Sequence, residues 1–222
     1  YKVTVTTSWD NKQYETIASD LAKWVLKVKT PAAGGPYTIT LTSGNTIVLE
    51  DVLIGEVWVC SGQSNMEWSY HLGVKDIAEE FPTAANPSIR LFQVERTGAD
   101  FPQDDLKASW AKADSNQLKS FSAVGYFFGK NLHEKMNVPV GLINVSWGGT
   151  PAEAWTPEAV IQADPQLQLA AAQQKKVAWW PTAPAKAFNG MIAPITNHGI
   201  AGVIWYQGES NTGTYSTYRQ LF

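Results

Sequence analysis

Val57-Trp58-Val59-Cys60-Ser61-Gly62-Gln63-Ser64-Asn65-Met66 is the stretch whose reading decides the fold. An apolar, β-branched run from Ile54 to Cys60 stops at a Ser-Gly-Gln-Ser-Asn turn, the pattern of a buried strand that presents a serine hydroxyl at its carboxyl end. In open α/β sheets ligands bind at those strand ends. A serine held there becomes a nucleophile once a base reaches it. Taken alone, the decapeptide reads equally well as a polar turn that merely ends a strand.

Two further segments repeat the arrangement. Val140–Val145 runs into Ser146-Trp147-Gly148-Gly149-Thr150-Pro151, and Ile200–Tyr206 runs into Gln207-Gly208-Glu209-Ser210-Asn211. In a parallel sheet the three turns share one edge and can converge. Acyl transfer needs a nucleophile and donors aimed at the developing oxyanion. Ser64 is the candidate nucleophile. The N–H of Ser64, an N–H from Gly148 or Gly149, and a side-chain amide from Gln207 or Asn211 are the candidate donors. Glycine in the second loop lets main-chain N–H groups approach a ligand with no Cβ in the way. Tight turns alone explain one such loop easily and three together poorly.

Residues 1–52 read as a β-rich region. Lys2–Thr6, Trp24–Val28, Tyr37–Leu41 and Thr46–Leu49 are strand-like, with turns at Gly34-Gly35-Pro36 and Ser43-Gly44-Asn45. Such spacing fits part of a small β-sandwich. From residue 53 to 222 the pattern is α/β. Ile89–Val94 is a further strand, Ser122 caps a helix to Met136 with Val124, Phe127, Phe128 and Leu132 on its apolar face, and Pro157–Lys176 is helical with a break at Pro165. Alternating helices and strands at this spacing indicate a parallel, doubly wound sheet.

Apolar residues make up 44% of the 222 and charged residues 17%, which fits a packed globular chain. The net charge of -3, with no cluster of Lys and Arg, argues against nucleic acid and anionic membranes as partners. No apolar stretch reaches the ~18 residues of a membrane span, and Tyr1-Lys2-Val3-Thr4-Val5 is no signal peptide. The lone Cys60 allows no intrachain disulfide and reads as a core thiol. No Cys/His spacing suits a metal and no phosphate-binding glycine motif is present, so no cofactor is expected. Asp104-Asp105 and Glu79-Glu80 read as solvated surface, not as a glycosidase pair. Among the ten tryptophans, Trp68, Trp155, Trp179, Trp180 and Trp205 lie near polar turns and are candidates for stacking on a sugar ring.

Ser61-Gly62-Gln63-Ser64-Asn65-Met66, Asn144-Val145-Ser146-Trp147-Gly148-Gly149-Thr150 and Trp205-Tyr206-Gln207-Gly208-Glu209-Ser210-Asn211, in that order, resemble the signature blocks of the sialate O-acetylesterase family. That family belongs with the SGNH (GDSL-like) hydrolases and is related to acetylxylan esterases. The resemblance extends over roughly residues 30 to 222 and takes in Ser122–Gly129 and Asn189-Gly190-Met191-Ile192-Ala193-Pro194. It implies a flavodoxin-like α/β/α catalytic domain preceded by a β-sandwich. It implies Ser64 as nucleophile and an oxyanion hole from the N–H groups of Ser64 and Gly149 and the Gln207 side chain. The implied substrate is an O-acetylated sugar, most of all sialic acid, in a secreted, periplasmic or lysosomal-type compartment. An acetylxylan esterase and a non-catalytic glycan-binding domain on an esterase scaffold are the rival readings.

The chain departs from the family at the base, which the resemblance places in an Asp-x-x-His segment. The histidines here are His71, His133 and His198, and none follows an Asp by three residues. The expectation is that residues 1–222 are the amino-terminal part of a nicked or two-chain enzyme whose second polypeptide carries that segment. Glu209 could orient the oxyanion donor, bind a sugar hydroxyl or bear on the base, or only brace the loop through backbone N–H groups, and is read as acting from behind the reacting groups.

Overall fold

A computed structural model describes residues 1–221. Phe222, the last residue of the region read as catalytic, lies outside them. The chain divides into two compact units, Tyr1–Gly55 and Glu56–Phe222.

The first unit is one antiparallel sheet of β1 (Lys2–Thr7), β2 (Gln13–Ile17), β3 (Gly34–Ser43) and β4 (Asn45–Ile54), in the order β2-β1-β3-β4. Gly44, with φ +78°, makes the β3–β4 hairpin, in which Ser43 faces Asn45. Three expectations are corrected. Trp24–Val28 forms no strand: Val25 is exposed, and the alternation there finds no neighbouring strand to pair with, whereas Gln13–Ile17 pairs with β1. Gly34-Gly35-Pro36 opens β3 as an irregularity in its pairing with β4 instead of making a turn. The expected piece of a sandwich is a single sheet, with no second layer among the described residues.

The second unit carries a five-stranded sheet of β5 (Glu56–Gly62), β6 (Asn86–Gln93), β7 (Trp110–Ala113), β8 (Val140–Ser146) and β9 (Gly202–Tyr206), ordered β7-β6-β8-β5-β9. All are parallel except β7, which pairs antiparallel with β6. The three strands that run into polar loops lie as β8-β5-β9. The chain therefore steps from β5 to one side and later returns to the other. That reversal is a topological switch point, where open parallel sheets bind ligands outside the carboxyl ends. β6 does not extend the sheet beyond β9; it lies on the far side of β8.

The α-helices of this unit are α1 (Ser64–Glu67), α2 (Ser115–Leu118), α3 (Ala123–Met136), α4 (Glu158–Gln162) and α5 (Pro165–Gln173), and an apolar cluster forms on each face of the sheet. One face packs Cys60, Ile89, Leu91, Val140 and Leu142 against Met66, Leu118, Phe121 and Tyr126. The other packs Val59, Ile143 and Val145 against Ala154, Trp155, Ala187 and Met191. Ser122 caps α3 by accepting a hydrogen bond from the Gly125 N–H, and Asn137 ends it in the left-handed conformation. The face α3 buries is Ala123, Gly125, Tyr126 and Gly129, while Val124 and Phe127 of the expected apolar face are 40% and 43% exposed. Small residues win the sheet-facing positions because a Cβ on Gly129 would stand 2.5 Å from the Leu142 side chain. The break at Pro165 is present: Pro165 begins α5, with Asp164 as its cap. The residues after β9, Glu209–Leu221, form two 3-10 segments that meet at a kink at Thr214 (φ -124°, ψ 27°).

Candidate active site

Gly62 ends β5 with φ +140°, and a Cβ there would lie 2.1 Å from the Tyr206 carbonyl oxygen. Only glycine lets β5 and β9 close up at this point. The Gly62 carbonyl accepts from Trp147 N–H and the Tyr206 carbonyl accepts from Gln63 N–H, both at 3.0 Å, so the three strand ends are tied together at the sheet edge. Gln63 then takes an extended conformation and α1 begins at Ser64. Ser64 is half-buried, and its hydroxyl has no hydrogen-bond partner among the described residues.

The second loop lies directly against it. A Cβ on Gly148 would be 3.5 Å from the Ser64 Cβ. Gly148 donates its N–H to Glu67 Oε2 at 2.9 Å, whereas the N–H groups of Ser64 and Gly149 have no acceptor among the described residues. Of the two glycines, Gly149 is thus the one with a donor to spare. Gly149 adopts φ +82° and lies under the Trp180 indole, close enough that a Cβ would be 2.4 Å from the ring. Its carbonyl accepts from Ser210 Oγ at 2.9 Å, which binds the second loop to the third.

The Gln207 side chain is held by partners on the loops around it. Its amide nitrogen donates to the Thr150 carbonyl (3.1 Å) and to Asn211 Oδ1 (2.7 Å), and its Oε1 accepts from the Tyr218 hydroxyl (2.7 Å). Both amide hydrogens are engaged here, and the side chain steadies the loop of Gly149. Asn211, the alternative donor, is buried and equally committed: Oδ1 accepts from Ala152 N–H, and Nδ2 donates to Glu153 Oε2 and Thr214 Oγ1. Glu209 is exposed and accepts from the Asn65 side chain, which links the third loop to α1.

Four residues that sequence reasoning passed over hold this arrangement. Gln63, 3% exposed, accepts with one oxygen from both Gly208 and Ser210 N–H at 3.2 Å. Glu153, fully buried, has its carboxylate satisfied by the amides of Asn211 and Gln174. Glu67 joins Gly148 to Arg96. Arg96 itself leaves the end of β6, and the rule that flagged the other three strand ends flags this one too once β6 is known to be parallel.

No histidine contacts Ser64. His71 is exposed, His133 bonds the Val138 carbonyl through Nδ1 at 2.7 Å, and His198 packs by Trp110 at the edge of an apolar cavity, where burial lowers its pKa by desolvation. Cys60 is fully buried, and burial pushes its thiol up to about 12. Of the tryptophan candidates, Trp155 is core, 7% exposed and edge-on to Trp205, whereas Trp68 and Trp179 are exposed and Trp180 covers Gly149. Among the described residues no cluster of three His, Cys, Asp or Glu could hold a metal, and no helix is long and apolar enough to cross a membrane.

A family model described as carbohydrate esterase, sialic acid-specific acetylesterase, matches residues 54–221. The chain belongs to that family. It is 36% identical over 216 residues to the sialate O-acetylesterase of Pongo abelii and 35% identical to that of Homo sapiens, in each case covering 90% of this chain and 40% of the relative. The crystal structure of a carbohydrate acetylesterase from Xanthomonas citri superposes with a TM-score of 0.85 at 33% identity, covering all of this chain and 48% of that one. This member of the family therefore spans less than half the length of the relatives it matches. The match begins at residue 54, so the β5 loop, the β8 loop and the β9 loop all lie inside it.

Proposed function

We propose that the intact protein is a serine O-acetylesterase that removes acetyl groups from sugars, sialic acid first among them, and that residues 56–222 are the first part of its flavodoxin-like SGNH catalytic domain. The observation that carries the reading is the group at the switch point: an unbonded Ser64 hydroxyl against a loop whose Gly149 N–H, like that of Ser64, is unpaired. Ser64 Oγ attacks the acetyl carbonyl carbon while a base takes its proton. The carbonyl oxygen becomes the oxyanion, held by the N–H groups of Ser64 and Gly149. The sugar oxygen leaves with the proton, and water then hydrolyses the acetyl-enzyme. Gln207 serves by holding Thr150, and so the loop of Gly149, in place.

The base comes from polypeptide outside residues 1–222, an Asp-x-x-His segment brought to Ser64 by a second chain or a further part of the same protein. β9 supports this. It is the outer strand of the sheet, with Val203 52% and Tyr206 46% exposed. On one side of it a 400 Å³ apolar cavity is lined by Trp155, Ile192, Val203 and Trp205, and on the other a 500 Å³ cleft by Trp68, Val124, Phe127 and Tyr206. A strand added at β9 with helices in those spaces would bury all of these side chains. Native mass spectrometry of the purified protein should show the partner fragment or the longer chain. The enzyme is expected in a secreted or lysosomal-type compartment.

Assays of the intact protein on O-acetylated sialic acid, acetylated xylan and p-nitrophenyl acetate, each with Ser64→Ala, test the reading. Loss of the nucleophile should lower kcat by about 10⁶-fold with the fold unchanged. Activity of the variant within tenfold of wild type would overturn Ser64. Preference for xylan would move the substrate, and binding of glycans with no hydrolysis at all would make the protein a lectin on this scaffold.

A further inference from the structure

Arg96 is linked to the proposed site through Glu67, the last residue of α1. It follows Val94, which is buried and donates its N–H to the Asn144 carbonyl at the carboxyl end of β6. Its Nε donates to Glu67 Oε1, the carboxylate whose other oxygen holds Gly148. Its two Nη atoms have no acceptor among the described residues, and the side chain is 49% exposed. The backbone behind it is firmly placed. Ala99 N–H donates to the Lys186 carbonyl, Asn189 Nδ2 donates to the carbonyls of Ala99 and Asp100, and Gln103 N–H donates to the Asn189 carbonyl. A Cβ on Gly190 would stand 2.1 Å from the Thr97 carbonyl oxygen, so the Asn189-Gly190 pair fits against this loop with no room for another side chain.

We propose that the free Nη edge of Arg96 receives the carboxylate of an acidic sugar, and that this contact makes the enzyme prefer sialic acid to neutral O-acetylated sugars. The proposal rests on the esterase reading above. A guanidinium presents its donors in a planar fork that matches a carboxylate with two parallel hydrogen bonds. Glu67 uses the Nε side and leaves the Nη donors of this half-exposed side chain for another acceptor. Glu67 also balances the charge of Arg96 while the site is empty, so the gain from the substrate is directional hydrogen bonding more than net attraction. A neutral sugar ester would leave the Nη donors to water and lose that contact alone. Lysine in this place would keep the charge and lose the fork.

The test uses the intact protein and two substrates that differ at one group: an O-acetylated sialic acid and the same sugar with its carboxylate converted to the carboxamide. Wild type should favour the acid over the amide in kcat/KM by roughly 10–100-fold, the size of a charge-assisted pair. Arg96→Gln should lower kcat/KM for both, since Glu67 loses a partner, but bring the ratio close to one. Arg96→Lys should keep an intermediate ratio. Equal losses on both substrates, with the ratio unmoved, would show that Arg96 only positions Glu67 and would overturn the proposal. Titration calorimetry with unacetylated sialic acid and its carboxamide gives a second reading that needs no turnover. Arg96-dependent preference for the acid without hydrolysis would uphold this site and overturn the esterase reading. Hydrolysis of both substrates at equal efficiency would do the reverse, and neither hydrolysis nor binding would overturn both.

Discussion

Replacing Gly149 by alanine puts a methyl group where the structure has an indole. The ideal Cβ lies 2.4 Å from Trp180 Cδ2 and Cε2 and 2.7 Å from Cζ2, with φ at +82°. Holding alanine in that left-handed conformation costs about 1–2 kcal/mol. Forcing the ring aside adds about 1–3 kcal/mol, as over-packing does elsewhere. The loop relieves part of this by rotating its main chain, and the Gly149 N–H moves off the proposed oxyanion position. We expect kcat/KM to fall by roughly 10²–10³-fold, the loss usual for an oxyanion donor. Trp180→Ala removes the steric part and leaves the backbone part. The Gly149→Ala/Trp180→Ala double variant should therefore recover some of the loss, with a coupling of about 1–3 kcal/mol in a double-mutant cycle on kcat/KM and on urea stability. Wild-type kcat/KM in Gly149→Ala would refute the donor role, and strictly additive free energies would refute the packing of Trp180 on the loop.

Gln207→Ala should lower both kcat and stability, the latter by about 1–3 kcal/mol, because it strips partners from the Thr150 carbonyl, Asn211 Oδ1 and the Tyr218 hydroxyl. A fall in kcat with unchanged denaturant midpoint would instead identify the Gln207 amide as a direct oxyanion donor. Cys60 should resist iodoacetamide in the native protein at pH 8, since the thiol is held up to about 12 by burial, and labelling at the rate of a free thiol would contradict its place in the core. The same shift fixes a sign. The neutral thiol's contribution is fully present below the ordinary value of 9.0 and is lost as pH rises from there toward about 12, so urea midpoints should fall with alkali on this account and Cys60→Ala should lessen the fall.

Local signals carried the parallel-sheet reading. β5, β8 and β9 are apolar runs, each ended by a glycine-bearing polar loop, and the strands of a parallel sheet read as apolar runs with no alternation, which shows in one dimension. The caps of α3 are legible for the same reason, since Ser122 and Asn137 act on backbone groups within a few residues of themselves. The roles proposed for Ser64 and the glycine loop rest on the same local signals. Partners do not. Trp24–Val28 has the alternation of a strand, and only the placement of neighbours decides that Gln13–Ile17 pairs with β1 instead. The buried face of α3 depends on how closely β8 approaches, which favours Gly129 over Phe127. Gln207 carries the right group at the right strand end, yet its amide is claimed by Thr150 and Asn211, contacts that span 57 and 4 residues. Gln63, Glu67, Arg96 and Glu153 matter through bonds across 145, 81, 29 and 58 residues. The sequence by itself determined which strand ends run into glycine-bearing polar loops, because strand, loop and cap are set by neighbours along the chain. The tertiary structure alone decided which donors stay free and which are spent, because a hydrogen bond belongs to whichever partner the fold brings within about 3 Å.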